Sequence, residues 1–317
     1  MKREPSAAVR KTVFRVQATD LRHDLDLSTE EVIYLLDLAR RVKKNPARYA
    51  TALAGRYLSL LFEKPSLRTR LTFELGIKQL GGDSIVSVGP IGEREPLKDV
   101  ARNLDRWTNG IVARTFLQST VDELAKWSSV PVINALSDLY HPCQALADFQ
   151  TLLERFGKLK GLRLAFVGDG NNVAHSLMLT GARLGTHVAV AHPEGYAPSA
   201  EIVATARDLA RRTGANITVT NDPEEAVRSA SAVYTDVWAS MGQEEEAARR
   251  QAAFKPYQVD EKLFAKAGQD AVFMHCLPAR RNQETTDGVI ELPRSVVFDQ
   301  AENRLHAQKA LMLMLLS

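Results

Sequence analysis

From residue 56 onward the chain alternates short apolar runs with longer stretches whose apolar residues recur every three or four positions. "RYLSLLF", "SIVSV", "GIVART" and "PVINAL" fit buried strands. Between them, "SLRTRLTFELGIKQLGG", "LKDVARNLDRW" and "TVDELAKW" carry helical spacing, the first through Leu71, Leu75 and Leu80 before it stops at Gly81 and Gly82. Strands separated by helices return to the same end of the sheet and pair in parallel. The long helical stretch "HPCQALADFQTLLERFG" and the turn-rich "FGKLKG" close this series, and a second one opens. It runs strand "LRLAFVGDG", helix "VAHSLMLTGARLG", strand "HVAVAHP", helix 199 to 213, strand "ITVTN", helix 223 to 230 and strand "AVYTDVW".

The expected fold is therefore α/β, with two doubly wound parallel-sheet domains joined by bridging helices, the boundary falling between 141 and 160 and the helix at Pro142 forming one bridge. Residues 1–145, joined by a C-terminal helix at 300–317, form the expected first domain, and 146–299 the second. A length of 317 residues suits two such cores. Ahead of both lies "STEEVIYLLDLARRVKK", a helix capped at Ser28 or Thr29, acidic in its first turn and basic in its last.

Forty-one basic and thirty-eight acidic residues, interspersed, give a formal charge of +3, which suggests neither a nucleic-acid tract nor an anionic-membrane patch. The two cysteines, Cys143 and Cys276, lie far apart and read as reduced thiols. The start "MKREPSAAVRK" has no apolar core behind its charges, and "ALMLMLLS" is too short to cross a bilayer, so a soluble cytoplasmic protein is expected.

Local chemistry is concentrated at the strand-to-helix junctions. "FEKPSLRTR" places Ser66, Arg68, Thr69 and Arg70 at a helix N-terminus, where unpaired N–H groups and the dipole favour an anion, with phosphate expected. The plain alternative is a solvated basic helix start. "VGDGNNVAHS" invites a dinucleotide reading, but Val173 stands at the third glycine position and the next strand ends without an acid, so that reading is weak. Asn171 and Asn172 offer amides to a carboxylate or an amine, or simply cap a helix. Asp236 in "YTDVWASMG" offers a carboxylate to an ammonium group or is another cap, with Ser240, Met241 and Gly242 following as a loop over the same edge. "GEREP" and "GQEEEAARRQ" read as solvated charge-rich segments. "HPCQ" and "HCLP" combine histidine with cysteine but lack metal-binding spacing, so no metal is expected. His23, His187 and His192 read as structural.

Taken in order, "FEKPSLRTR", "ART" at 113–115, "HPCQALAD", "GDGNN", "DVWASMG", "HCLP" and "ENRLHAQKALM" resemble the carbamoyltransferase family over nearly the whole chain. The pairing of D-x-x-x-S-M-G with H-C-L-P resembles its ornithine-specific members. The resemblance implies that Ser66, Leu67, Arg68, Thr69, Arg114, His141, Gln144 and Arg304 hold carbamoyl phosphate. It further implies that Asn172, Asp236, Ser240 and Met241 meet L-ornithine, with Cys276 and Leu277 at the junction. Arg68, Arg114, His141, Asp236 and Cys276 are the expected catalytic set. The resemblance implies no cofactor and a catalytic unit that is a homotrimer or a higher assembly of trimers, and the two lobes suggest a cleft that closes on both substrates with the "ASMGQ" loop as its expected lid.

Two positions depart from the family pattern. Leu67 replaces a common threonine, and "SVGPIGERE" offers Val88, Gly89 and Pro90 where a polar residue usually precedes "IG", which puts an intersubunit phosphate contact in doubt. The competing readings are a carbamoyltransferase for acetylornithine, putrescine or aspartate, a metal-dependent hydrolase using the two His and Cys clusters, and a non-catalytic phosphate-binding protein.

Overall fold

The computed structural model describes residues 16–239 and 246–317. Its first lobe runs α1 (Thr29–Lys44), β1 (Tyr57–Phe62), α2 (Leu67–Gln79), β2 (Asp83–Val88), α3 (Leu97–Trp107), β3 (Gly110–Arg114), α4 (Gln118–Trp127), β4 (Val132–Leu136) and α5 (Pro142–Phe156). The second continues with β5 (Arg163–Val167), α6 (Asn172–Leu184), β6 (His187–Ala191), α7 (Ala200–Thr213), β7 (Ile217–Thr220), α8 (Pro223–Val227) and β8 (Ala232–Thr235). It ends with α9 (Ala247–Phe254), α10 (Glu261–Phe264), β9 (Val272–His275), α11 (Asp287–Ile290) and α12 (Val297–Leu316).

All strand pairs are parallel, in the orders β2-β1-β3-β4 and β7-β6-β5-β8-β9. The two-residue period of a strand sends alternate side chains to opposite faces. Leu58, Leu60 and Phe62 of β1 enter one core, while Leu61 enters another with Ile111, Ala113, Val121 and Leu124 under α3 and α4. The second sheet does the same, with Leu164 and Phe166 on one face and Ala165 and Val167 on the other. Both sheets are thus covered on both faces. The largest core is continuous from the first sheet through α5 and α12 into α6, so the lobes share their central helical layer. The C-terminal helix α12 returns to pack on α1, α2 and α5.

Local signals act as their chemistry requires. Ser28 caps α1 in a capping box, its hydroxyl accepting from the Glu31 N–H at 3.1 Å while Glu31 accepts from the Ser28 N–H at 2.7 Å. Glu31 also accepts from the backbones of Gln17 and Ala18, which pins the chain entering the helix.

The helix read from the spacing of Leu71, Leu75 and Leu80 is α2; its buried face is made by Thr69, Phe73, Gly76 and Ile77, with Leu80 just beyond, while Leu71 and Leu75 are exposed, because the helix meets α12 on one side only. Two expectations need correction. Helix α8 stops at Val227 rather than 230: Arg228 leaves helical geometry and Ser229 takes φ +56°. Strand β8 ends at Thr235 rather than 238, which frees Asp236 to turn away from the ladder.

Candidate active site

In an open α/β sheet, ligands bind beyond the carboxyl ends of the strands where the strand order reverses. The first sheet reverses between β1 and β3, whose ends lead into Glu63–Ser66 and Arg114–Leu117. The second reverses between β5 and β8, whose ends lead into Gly168–Asn171 and Asp236. Residues from both edges line a single cavity of about 760 Å³, which includes Ser66, Leu67, Arg68, Thr69, Arg114, His141, Asn172, Asp236, Cys276, Leu277 and Arg304. Of the residues singled out above, Gln144 stands behind this wall. Ser240, Met241 and Gly242, and with them the expected lid, lie outside the described residues.

At the first-lobe end, Ser66 caps α2 by accepting from the Thr69 N–H at 3.3 Å. Thr69 in turn accepts from Arg304 Nη2 at 3.0 Å, and Arg304 Nη1 donates to Gln144 Oε1 at 2.5 Å. Arg114 and Arg304 are both buried, and the Nε of each has no partner among the described residues. No described carboxylate lies within ion-pair distance of Arg68, Arg114 or Arg304. Burial, then the neighbouring Arg304 and Arg68 cations, brings Arg114 down to about 10. Burial, then the Arg304 and Arg114 guanidiniums, hold His141 well below the usual histidine range, so its ring is neutral at pH 7. Such a cluster has its positive charge uncompensated from within, which suits a dianionic ligand. Arg70 is not part of it: exposed, it pairs with Glu74 at 2.6 Å one turn along α2.

At the second-lobe end, Asn171 fills both roles considered for it. Its Oδ1 caps α6 by accepting from Val173 and Ala174, and its Nδ2 donates to Asp236 Oδ2 at 2.9 Å. Asp236 Oδ1 accepts from the Val237 N–H at 2.8 Å and from the Cys276 thiol at 3.0 Å, so Asp236 is a held carboxylate and caps no helix among the described residues. Asn172 donates to the Ser137 carbonyl at 2.6 Å, across the two lobes. Burial, then the Asp236 charge, pushes the Cys276 thiol well above its ordinary value. It is a proton donor here, and Asp236 is the proton acceptor of the pair.

The "GDG" turn is used for close packing. Gly168 sits at φ +150°, and a side chain at Gly170 would overlap the backbone of Ala197 and Pro198. Gly170→Ala is expected to displace this loop and destabilise the protein by roughly 1–3 kcal/mol, as overpacked sites do. A denaturation midpoint equal to that of the parent would refute the close approach.

Asp236, His275 and Cys276 bring ligand atoms within 4.8 Å of one another. Both His275 nitrogens are already engaged, Nδ1 by the Leu277 N–H at 2.8 Å and Nε2 by Glu284 Oε1 at 3.1 Å. A metal there would have to break those bonds.

Some wall residues carried no sequence signal strong enough to be singled out. Lys64 places its Nζ 4.6 Å from the Phe116 ring centroid, and burial followed by the Arg114 charge lowers its pKa. Asp169 lines the cavity and is pushed up to about 6 by burial, which outweighs the opposing pull of its ion pair with Arg250. That pair corrects the reading of "GQEEEAARRQ" as wholly solvated, since Arg250 is 4% exposed and also donates to the Trp238 carbonyl. Lone charges like these become legible only when the fold supplies their partners.

Residues 20–154 match the family model described as the carbamoyl-P binding domain of aspartate/ornithine carbamoyltransferase, and residues 160–315 match its Asp/Orn binding domain. The ornithine carbamoyltransferase of Anoxybacillus flavithermus is 52% identical over 297 residues, covering 92% of this chain and 94% of its own. That of Thermococcus kodakarensis is 50% identical over 292 residues, covering 90% and 93%. Among solved structures, ornithine carbamoyltransferase from Pyrococcus furiosus aligns with a TM-score of 0.93 at 45% identity, covering 96% of this chain and 99% of that one. The Thermus thermophilus structure aligns with a TM-score of 0.85 at 46% identity, covering 94% and 99%.

Proposed function

The chain belongs to the aspartate/ornithine carbamoyltransferase family, and from that premise we propose how its own residues carry out the reaction. It transfers the carbamoyl group of carbamoyl phosphate to the side-chain amine of L-ornithine, giving L-citrulline and phosphate. The observation that carries the assignment of ends is the asymmetry of the cavity. One edge gathers three guanidiniums without a carboxylate partner among the described residues, and the other presents a carboxylate tied down by Asn171, Val237 and Cys276.

Residues 1–145 with the helix at 300–317 hold carbamoyl phosphate in this reading, and 146–299 hold ornithine. The phosphate lies at the N-terminus of α2 against Ser66, the Leu67 and Thr69 backbones, Arg68 and Arg114. Arg304 reaches it from α12, with Gln144 fixing its guanidinium from behind. Neutral His141 donates to the carbamoyl oxygen. Asn172 and Asp236 receive the amino acid, with Cys276 and Leu277 between the two substrates.

As the amine nitrogen bonds to the carbamoyl carbon, charge grows on the carbonyl oxygen and then on the departing phosphate oxygen. Fixed donors aimed at both positions stabilise the transition state more than the ground state. The attacking nitrogen loses one proton, which the held Asp236 carboxylate accepts in this reading, and the C–O bond to phosphate breaks. An alkyl ammonium has a pKa of about 10.4, so the reactive neutral amine increases about tenfold per pH unit below that value. The kcat/KM for ornithine is expected to rise with that slope between pH 7 and 9, and a flat profile would count against attack by the free amine.

Leu67, Leu71 and Leu75 on α2 and Ile85 and Val88 on β2 are all exposed, an apolar surface on one side of the first lobe that suits burial between copies in a homotrimer. A monomeric mass in light scattering would overturn that assembly. The product places the chain in arginine metabolism, and its two unpaired cysteines suit the reducing cytoplasm. The deciding assay measures citrulline and phosphate with ornithine beside acetylornithine, putrescine and aspartate. Preference for another amine would reassign the second lobe, and phosphate binding without turnover would reduce the chain to a binding protein.

A further inference from the structure

A line of hydrogen bonds crosses the shared helical layer behind the cavity, joining its two ends. Thr69 at the start of α2 accepts from Arg304, and Arg304 donates to Gln144 Oε1. The Nε2 of Gln144 donates to Asp148 Oδ1 at 2.7 Å. The same Oδ1 accepts from Gln300 Nε2, also at 2.7 Å, and Gln300 Oε1 accepts from the His275 N–H at 3.0 Å. His275 then accepts through Nδ1 from the Leu277 N–H, with Leu277 held at φ +55° in the left-handed region. Thr69, Arg304, Gln144, Asp148, Gln300 and His275 are each no more than 3% exposed. Four of them lie on α5 and α12, and the line ends in opposite lobes.

The chemistry fixes the direction of each link. A primary amide has one acceptor and one donor end. Gln144 spends its oxygen on Arg304 and Gln300 spends its oxygen on His275, so both must turn their N–H groups toward α5. There they meet one carboxyl oxygen. An apolar residue at 148 would leave a buried N–H of Gln144 unpaired and leave Gln300 Nε2 only the Tyr234 hydroxyl, 3.0 Å away, which is costly in a dry interior. Burial outweighs these hydrogen bonds in pushing Asp148 up to about 7, and its Oδ2 has no partner among the described residues. The accepting oxygen serves whether or not the other is protonated.

We propose that Asp148 is a positioning residue that holds the two half-sites in register, through Gln144 and Arg304 at the phosphate end and through Gln300 and the His275–Leu277 turn at the amine end. The inference rests on the carbamoyl-transfer reading for what each half-site binds. It assigns to a residue that touches no substrate the alignment of groups that do, and misalignment of such groups by an ångström is enough to cost turnover.

The test uses the full-length enzyme and three variants, with steady-state kinetics for both substrates, calorimetric binding of carbamoyl phosphate, and melting temperature. Asp148→Ala is expected to lower kcat about 100-fold and to raise both KM values about tenfold, as loss of a doubly used buried acceptor implies. Asp148→Asn keeps an accepting oxygen and is expected to recover kcat to within about tenfold of the parent. Gln300→Met cuts only the amine arm and is expected to raise the KM for ornithine about tenfold while carbamoyl phosphate binds within about twofold of the parent. Should Asp148→Ala fail to fold, the other two variants still decide. Asp148→Asn losing about 100-fold in kcat, or Gln300→Met weakening both substrates equally, overturns the proposal. Parent enzyme that forms no citrulline overturns the transfer reading instead, and that control is read before any variant.

Discussion

Arg68→Ala is expected to lower kcat/KM for carbamoyl phosphate by about 100- to 1000-fold with the melting temperature within about 2 °C of the parent. The size follows from losing about two charge-assisted hydrogen bonds to phosphate at about 1.5–2 kcal/mol each, the lower part of their range for a half-exposed site. The near-zero stability change follows from the surroundings of the side chain. Arg68 lines the cavity, has no carboxylate partner among the described residues, and contributes to the like-charge field that lowers the Arg114 pKa. Removing it relieves repulsion in the empty site while depriving the leaving group of a cation. Turnover near that of the parent, or a large drop in melting temperature, would show that the side chain is structural.

The second large effect is expected at the opposite edge. Asp236→Asn removes the charge proposed to receive an ammonium group and turns an acceptor into a donor facing the Asn171 Nδ2. Two donors then oppose each other at the sheet edge, so Asn171 is pushed off its position while its oxygen still caps α6. The expected result is a fall in kcat of about 1000-fold and a rise in the KM for ornithine of about tenfold, from a lost charge pair plus a misplaced amide. Carbamoyl phosphate should bind within about threefold of the parent, because the phosphate cluster lies across the cavity. Calorimetry on the variant separates the two halves, and a matching loss of carbamoyl phosphate affinity would show that Asp236 does not belong to the amine end alone.

The parallel α/β series was legible because strand and helix periods differ and each switch of period marks an element boundary. Burial of α2 was less legible: its leucines at 71 and 75 carry helical spacing yet face outward, while Phe73 and Ile77 meet α12. Periodicity finds an apolar face but does not say whether its partner is the chain's own core or another copy. Among the charged residues, Arg68 announced itself by its place beside a helix start. Arg250 did not, since its ion pair with Asp169 joins positions far apart in the chain. Arg70, which shares the motif of Arg68, turns aside to Glu74 because four residues along a helix return to the same face.

The order of elements, the two helix starts at Ser66 and Asn171, and the residue types at the strand ends are legible in the chain's residues alone, because these depend on neighbours a few positions apart. Only the tertiary structure decided that the two strand-order reversals face one cavity and that three guanidiniums meet without a carboxylate among the described residues. It alone joined α5 to α12 through Asp148. The physical reason is range: caps and periods are local, whereas charge clustering, desolvation and buried hydrogen-bond partners arise when segments more than 100 residues apart are brought into contact.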